Sequence, residues 1–514
     1  MFQPQTKPKI LAAQFAGNPF SNHFAQLPAQ FYSAVDPTPV KDPQLVALNR
    51  PLAAHLGLDA EALDSADGTA LFAGNALPSS TRPIAQVYAG HQFGHFNPQL
   101  GDGRAILLGD LLDRDGAYQD IQLKGAGPTP YSRSGDGRAA LGPVIREYLV
   151  SEAMHRLGIK TTRALAAVTT GERVYRQRAL PGAVITRVAS SHIRIGTFEY
   201  FHQRGDSAAV KQLADYAIAR HYPNAKTDHN PTTYLNLLKS VITAQAELIS
   251  RWLNVGFIHG VMNTDNMSIS GETIDYGPCA FMEYFDPATV YSSIDQQGRY
   301  AYGNQASIAL WNLTRLAECL LPLLHEQQSQ AVALAEETLG EFAGIFELHY
   351  MRGLADKIGL ISNAEVTQLS TDFLQLLHSY RADFTLAFRL LANTFHSHGK
   401  HQWLALFQGS MQTAEESTNN AILQWHQRWL TQINQQVAAR DDISKAMNLV
   451  NPLYIPRNSK IEDAINAAEI HNDFTLMQQM MQLLNEPYTE KTGMEEYTKP
   501  SPRQAAPYKT FCGT

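Results

Sequence analysis

FIHGVMNTDNMSISGETIDYG, residues 257–277, is the stretch on which the reading of this chain turns. Asn266 and Asp275 are oxygen donors separated by a short run, Met267–Thr273, that turns at Ser270-Gly271 and so reads as a hairpin. A hard cation such as Mg²⁺ takes oxygen ligands and keeps several positions for water and phosphate, which two protein donors leave open. A second carboxylate, Asp265, stands directly before Asn266. The residues leading into the segment are helical in pattern. Asn230-Pro231 offers an N-cap and first-turn pair, and Tyr234, Leu235, Leu238, Val241, Ile242, Leu248, Ile249 and Trp252 recur at helical spacing up to Gly256.

Kinase-like phosphotransferases carry His-x-Asp-x-x-x-x-Asn and, a short hairpin later, Asp-x-Gly, the Asn and second Asp gripping Mg²⁺ on the nucleotide phosphates. His259, Asn266 and Asp275-Tyr276-Gly277 keep that register. The place of the catalytic Asp is taken by Val261, and the carboxylate is displaced to Asp265, whose ordinary acidity would leave it ionised at neutral pH. Upstream, Lys124 ends a strand-like run and Glu147 sits on the next helix, the order of the strand lysine and helix glutamate that form an ion pair behind the phosphates. Each element alone is commonplace as a turn or a solvated strand end. Four of them in this order form a specific set.

Working outward, Arg104–Leu112 and Tyr118–Lys124 flank Asp113-Arg114-Asp115-Gly116 as a hairpin. A Gly-rich loop from Gly125 to Gly142 precedes an amphipathic helix opened by Pro143 and closed at Gly158. Three strands are predicted at Ala164–Thr170, Arg173–Gln177 and Ala183–Val188, a helix at Asp42–Leu56, and helices from about 330 to Leu484 before a loose tail. Neither LGDGR (100–104) nor GDGR (135–138) is the G-x-G-x-x-G cover of a kinase. Their glycines still permit close backbone approach to phosphate, and arginine offers a bidentate fork, so Gly101, Gly103 and Arg104 suit a nucleotide. Arg187 and Arg194 lie where the strand pattern gives way to helix, positioned for either ion pairs or phosphate. His91 and His95 lack a supporting helix, and His396, His398 and His401 read as a polar loop, so neither group is assigned a metal.

The chain has 514 residues, 44% of them hydrophobic, enough for a substantial core, and its formal charge of −7 supplies no general attraction to nucleic acid or anionic lipid. The most apolar segment, near Ala309–Leu324, is interrupted by Asn312, Arg315 and Glu318, so no membrane span is expected. The beginning of the chain shows no apolar core of a secretory signal, and three cysteines, Cys279, Cys319 and Cys512, suit a reducing compartment, so a cytoplasmic protein is expected.

With YAGHQFGHF, LGDGR, QLKGAGPTPYSR, GDGRAAL and HGVMNTDNMSISGETIDYGPCAF, the chain resembles the selenoprotein O family from about residue 15 to its end. The resemblance implies an α+β, protein-kinase-like bilobal fold, called pseudokinase for its missing Asp. In chain order it gives an N-terminal extension (1–80), an antiparallel-sheet N-lobe (81–190), a helical C-lobe with the catalytic segment (191–330), and a helical extension with tail (331–514). It further implies transfer of AMP from ATP, or UMP from UTP, to Ser, Thr or Tyr hydroxyls of proteins, with Mg²⁺ or Mn²⁺, by a monomer. By the same resemblance Lys124, Arg187 and Arg194 contact phosphates, and Gly101, Gly103, Arg104, Asp136 and Gly137 hold the nucleotide together with Asp275. Asn266 and Asp275 bind metal, and Asp265 is the base. The end of the chain, Phe511-Cys512-Gly513-Thr514, carries cysteine where the selenium-containing members have selenocysteine. An ordinary kinase and a catalytically dead nucleotide-binding scaffold are the alternatives. A disulfide between Cys279, just past Asp275-Tyr-Gly, and Cys512 in the tail would act as a redox latch, against which stand two plain thiols.

Overall fold

The structure, a computed structural model, describes residues 7–12, 15, 17–228, 230–407, 415–502 and 508–510. It is α+β, an antiparallel sheet followed by a mainly helical remainder. Ala105–Leu112 and Tyr118–Lys124 form the expected hairpin, its turn held by Asp113 Oδ1, which accepts from the N–H groups of Asp115 and Ala117 at 3.0 and 2.8 Å. The sheet runs Tyr32–Ala34, Ile84–Gln86, Ala105–Leu112, Tyr118–Lys124, Ala179–Ala189, Arg163–Tyr175, Gln44–Leu48, with Ala139–Ala140 added against Ala179–Ala189. Lys124 is therefore central, opposite Ala105 on one side and Ile185 on the other.

Several expectations change. Arg163–Tyr175 is one strand, not two: the register slips between Thr169 and Arg173, around Gly171, and the residues read as a turn are a bulge. Residues 42–56 are not one helix. Gln44–Leu48 pairs with Arg163–Tyr175 at the sheet edge, and only Arg50–His55 is helical, capped by Asn49 Oδ1 at 3.1 Å from the Leu52 N–H. Because residues 32–34 and 44–48 supply both outer strands, residue 80 marks no edge of the sheet.

The helix expected from Pro143 begins at Leu141 and runs to Arg156, and it is buried nearly all round instead of amphipathic. One side lies on the sheet; the other is covered by the helices Asn458–His471 and Thr475–Leu484. The helix Asn230–Val255 is as the periodicity predicts and packs against Gln305–Leu324 and Gln328–Lys357. By length and composition the apolar segment reaching from Tyr302 to Leu324 is long enough to cross a membrane. Further on, Phe373, Trp403, Trp425 and Trp429 centre a separate helical core. Ser397–Ala405 is a helix there, so His398 and His401 are not in a loop.

The tail is docked over its described part. The Ser501 N–H donates to Glu283 Oε2 at 3.1 Å, Tyr508 OH donates to Glu462 Oε1 at 2.7 Å, and Thr510 Oγ1 donates to the Pro278 carbonyl at 2.7 Å.

Candidate active site

Gln122 and Lys124 alternate to the same face of the central strand, and Arg187 faces Gln122 from the adjacent strand. That face meets the segment after His259. Lys124 Nζ donates to Glu147 Oε2 at 2.7 Å and to Asp275 Oδ1 at 3.0 Å. Arg187 gives Nε and Nη2 to Glu147 Oε1 at 2.8 and 2.5 Å and Nη2 also to Asp275 Oδ1 at 2.8 Å. Arg194, just before the helix Ile195–His202, gives Nη1 to Asp275 Oδ2 and to the Asp265 carbonyl, each at 2.5 Å, and stacks 4.8 Å over the Tyr88 ring. Asp275 itself has φ +64°, a left-handed conformation uncommon for a residue with a side chain.

Gly101, Gly103, Arg104, Lys124, Asp136, Gly137, Arg187, Arg194, Asp265, Asn266 and Asp275 all line one cleft of about 440 Å³, and Glu147 stands behind it. Val261 lines it too. His259 does not: it is buried, stacked on Trp252, its Nε2 2.8 Å from the Ile274 carbonyl, where burial lowers its pKa and keeps it neutral. It braces the backbone leading to Asp275, and the run Met267–Thr273 is not the hairpin its turn predicted: it turns at Ile269-Ser270, but Ser268 bridges to Arg194 and Thr273 to Thr161, so its two arms pair elsewhere.

The two carboxylates titrate apart. Burial alone would raise Asp275, but Arg194, Arg187 and Lys124 hold it well below the usual carboxylate range. Burial pushes Asp265 up to about 7 against the pull of Arg194 and of a hydrogen bond from Gln92. Its side chain is therefore not simply ionised at neutral pH, as its ordinary acidity implied. Asp265 Oδ1 has no hydrogen-bond partner among the described residues. Glu147, desolvated but paired with Arg187 and Lys124, is lowered.

The loops that the glycines predicted are there, with partners the sequence did not show. Asp136 takes a two-pronged bond from Arg176, at 2.9 and 3.0 Å, and accepts from the Arg138 N–H at 2.9 Å. Gly137 has φ +65°, and a Cβ there would meet the Gly127 backbone at 2.2 Å, so only glycine lets the two ends of this loop approach. Tyr88, Gln92, Asp102, Arg138 and Arg176 also line the cleft and were missed. Asp102, within LGDGR, is buried with Oδ1 unpartnered among the described residues, and burial raises its pKa. Only the spacing of LGDGR hinted at it.

The donors are oxygens of the kind a divalent cation takes, although both Asp275 oxygens are engaged by Lys124, Arg187 and Arg194. Asn266 Nδ2 donates to the Val261 carbonyl at 3.0 Å, which leaves its Oδ1 as the acceptor, in the cleft that Asp275 also lines. Among the described residues no three His, Cys, Asp or Glu side chains gather around one point, so phosphate and water would complete the shell. Cys279 is buried, and Cys512 lies outside the described residues.

One ammonium and two guanidiniums converge on a carboxylate beside a second carboxylate with an oxygen unpartnered among the described residues, a concentration of positive charge that suits a phosphate-bearing ligand. The chain belongs to the family described as protein adenylyltransferase SelO, which matches residues 14–485. A protein nucleotidyltransferase YdiU of Rhodopseudomonas palustris (strain HaA2) is 53% identical over 497 residues, 96% of this chain and 99% of that one. Its counterpart in Rhizobium meliloti (strain 1021) is 54% identical with the same coverage, and that of Methylorubrum extorquens is 53% identical, again with the same coverage.

Proposed function

We propose that the chain has a protein-kinase-like bilobal fold and transfers AMP from ATP, or UMP from UTP, to Ser, Thr or Tyr hydroxyls of proteins. The observation that carries this is the unequal pair Asp275 and Asp265 in one cation-lined cleft, with Val261 where a kinase has its base. The acceptor oxygen attacks the α-phosphorus, the bond from that phosphorus to the bridging oxygen breaks, and pyrophosphate leaves. Lys124, Arg187 and Arg194 release part of their hold on Asp275 to the phosphates and neutralise the charge that grows on the leaving group. The Asp265 carboxylate takes the hydroxyl proton. Gly101, Gly103, Arg104, Asp136 and Gly137 hold the rest of the nucleotide. Asn266 and Asp275 would hold Mg²⁺ or Mn²⁺, which supplies further charge neutralisation at the phosphates.

ATP labelled separately at the α- and γ-phosphates tests this. Covalent α-label on protein, with no γ-label, is expected. Incorporation of γ-label supports an ordinary kinase, and no incorporation of either supports a scaffold.

The redox latch belongs to the same proposal. Thr510, two residues before Cys512, already bonds the carbonyl of Pro278, next to Cys279. An oxidant would take two electrons and two protons from the thiols of Cys279 and Cys512 as the disulfide forms. Peptide mapping of oxidised protein should find the linked pair, and reductant should raise transfer in the wild type but not in Cys512→Ala. Cys512 found unlinked refutes the latch.

A further inference from the structure

The hairpin Gly90–Gln92 and His95–Asn97 has no part in the chemistry above, yet it lies directly on the loop that carries Asp265. It bonds that loop residue by residue. The His91 N–H donates to Thr264 Oγ1 at 2.7 Å, Gln92 Nε2 to Asp265 Oδ2 at 3.2 Å, and the Phe93 N–H to Asn263 Oδ1 at 3.0 Å. Buried Glu199 fastens both partners from behind, accepting from the Thr264 hydroxyl at 2.5 Å and meeting His91 Nδ1 at 2.5 Å. The approach is close enough that a Cβ on Gly90 would stand 2.7 Å from Asp265 Oδ1 and 2.9 Å from its Cβ.

Rotation of a carboxylate about its last bond is soft, so packing alone leaves the direction of its oxygens undetermined. A hydrogen bond to one oxygen sets the plane and with it the direction of the other. Among the described residues Gln92 is the only side chain that donates to the Asp265 carboxylate, and it takes Oδ2, leaving Oδ1 uncommitted. We propose that Gln92 is a positioning residue for the transfer, its amide holding Oδ2 of Asp265 and with it the plane in which the carboxylate meets the acceptor hydroxyl, with the hairpin fixing the amide to the loop. Gln92 acts through Asp265 and touches no reacting atom. The proposal rests on Asp265 being the base.

Gln92→Met keeps the length of the side chain and removes the donor. With ATP and the full chain, kcat for AMP transfer is expected to fall about 10- to 100-fold, the scale of misplacing a catalytic group by a fraction of its working geometry. The KM for ATP, the nucleotide dissociation constant and the melting temperature should stay unchanged. Gln92→Glu, equally close in shape, should lose at least as much kcat, and it decides the matter where the Met variant does not fold. Unchanged kcat in the folded variants overturns the proposal, as does a loss confined to ATP affinity. Asp265→Asn is measured in parallel. Full turnover there overturns the base assignment and this proposal with it. Turnover lost in Asp265→Asn but kept in Gln92→Met removes the positioning role alone.

Discussion

Asp265 and Asp275 flank one short turn and open on one cleft, yet their surroundings push them in opposite directions. At Asp275 three cations reach the two carboxylate oxygens within 3.0 Å, so its charge is stabilised more than water would stabilise it. At Asp265 the contacts are one amide and a wall of backbone, and the desolvation goes largely uncompensated. The same side chain becomes a permanent anion in one place and a group poised to exchange a proton in the other. Environment, not residue type, assigns the roles.

The comparison breaks most visibly at Asp275. Asp275→Asn should abolish transfer and metal-dependent nucleotide binding, because it leaves Arg194 without its carboxylate and removes the anionic metal ligand. Its melting temperature should fall, and pyrophosphate should recover part of the loss by meeting the released cations. Calorimetry with and without pyrophosphate checks both. Asp265→Asn should lower turnover by about 10²- to 10⁴-fold, the usual contribution of a general base, while sparing nucleotide affinity. Equal loss of affinity in both variants would make Asp265 another ligand.

The pH dependence sharpens the contrast. With Asp265 as the proposed base, kcat/KM should decline as pH falls through about 7, well above the ordinary carboxylate range, with no further step from Asp275 until much lower pH. Stability runs the other way for Asp265. A folded-state pKa raised above the unfolded value contributes stability that is complete below the unfolded pKa and is lost as pH rises through 7. Asp265→Asn should therefore melt higher than the wild type at pH 8 and nearly the same at pH 4. The smallest effect is expected at the loop. Arg176→Ala frees Asp136 at a partly exposed site and should raise the ATP KM about two- to fivefold, as loss of an exposed ion pair of under about 1 kcal/mol implies.

Much of this site was legible because its parts are local in sequence. His259, Asn266 and Asp275 lie within one short segment, and Lys124 and Glu147 sit at the end of a strand and on the next helix, so both groups are close in sequence. Gln92, Tyr88, Asp102 and Arg176 had no such signal. Gln92 reaches Asp265 across 173 positions, and nothing in YAGHQFGHF says which loop it will face. The split of Arg163–Tyr175 into two strands failed for a related reason: Gly171 with its neighbours is as good a bulge as a turn, and the partner strands settle which it becomes.

Periodicity, turn residues and motif spacing follow from backbone geometry within a few residues, which is why the hairpin at 105–124, the helix at 230–255 and the order of the functional groups can be read directly from the chain. The burial of the helix Leu141–Arg156 on nearly all sides, the strands from residues 32–48 at the sheet edges, and the docking of residues 501 and 508–510 depend on surfaces contributed from far along the chain. So do the opposite acidities of Asp265 and Asp275, since desolvation and Coulomb terms are sums over neighbours in space, and those neighbours exist only once the sheet, the loop and the hairpin have packed together.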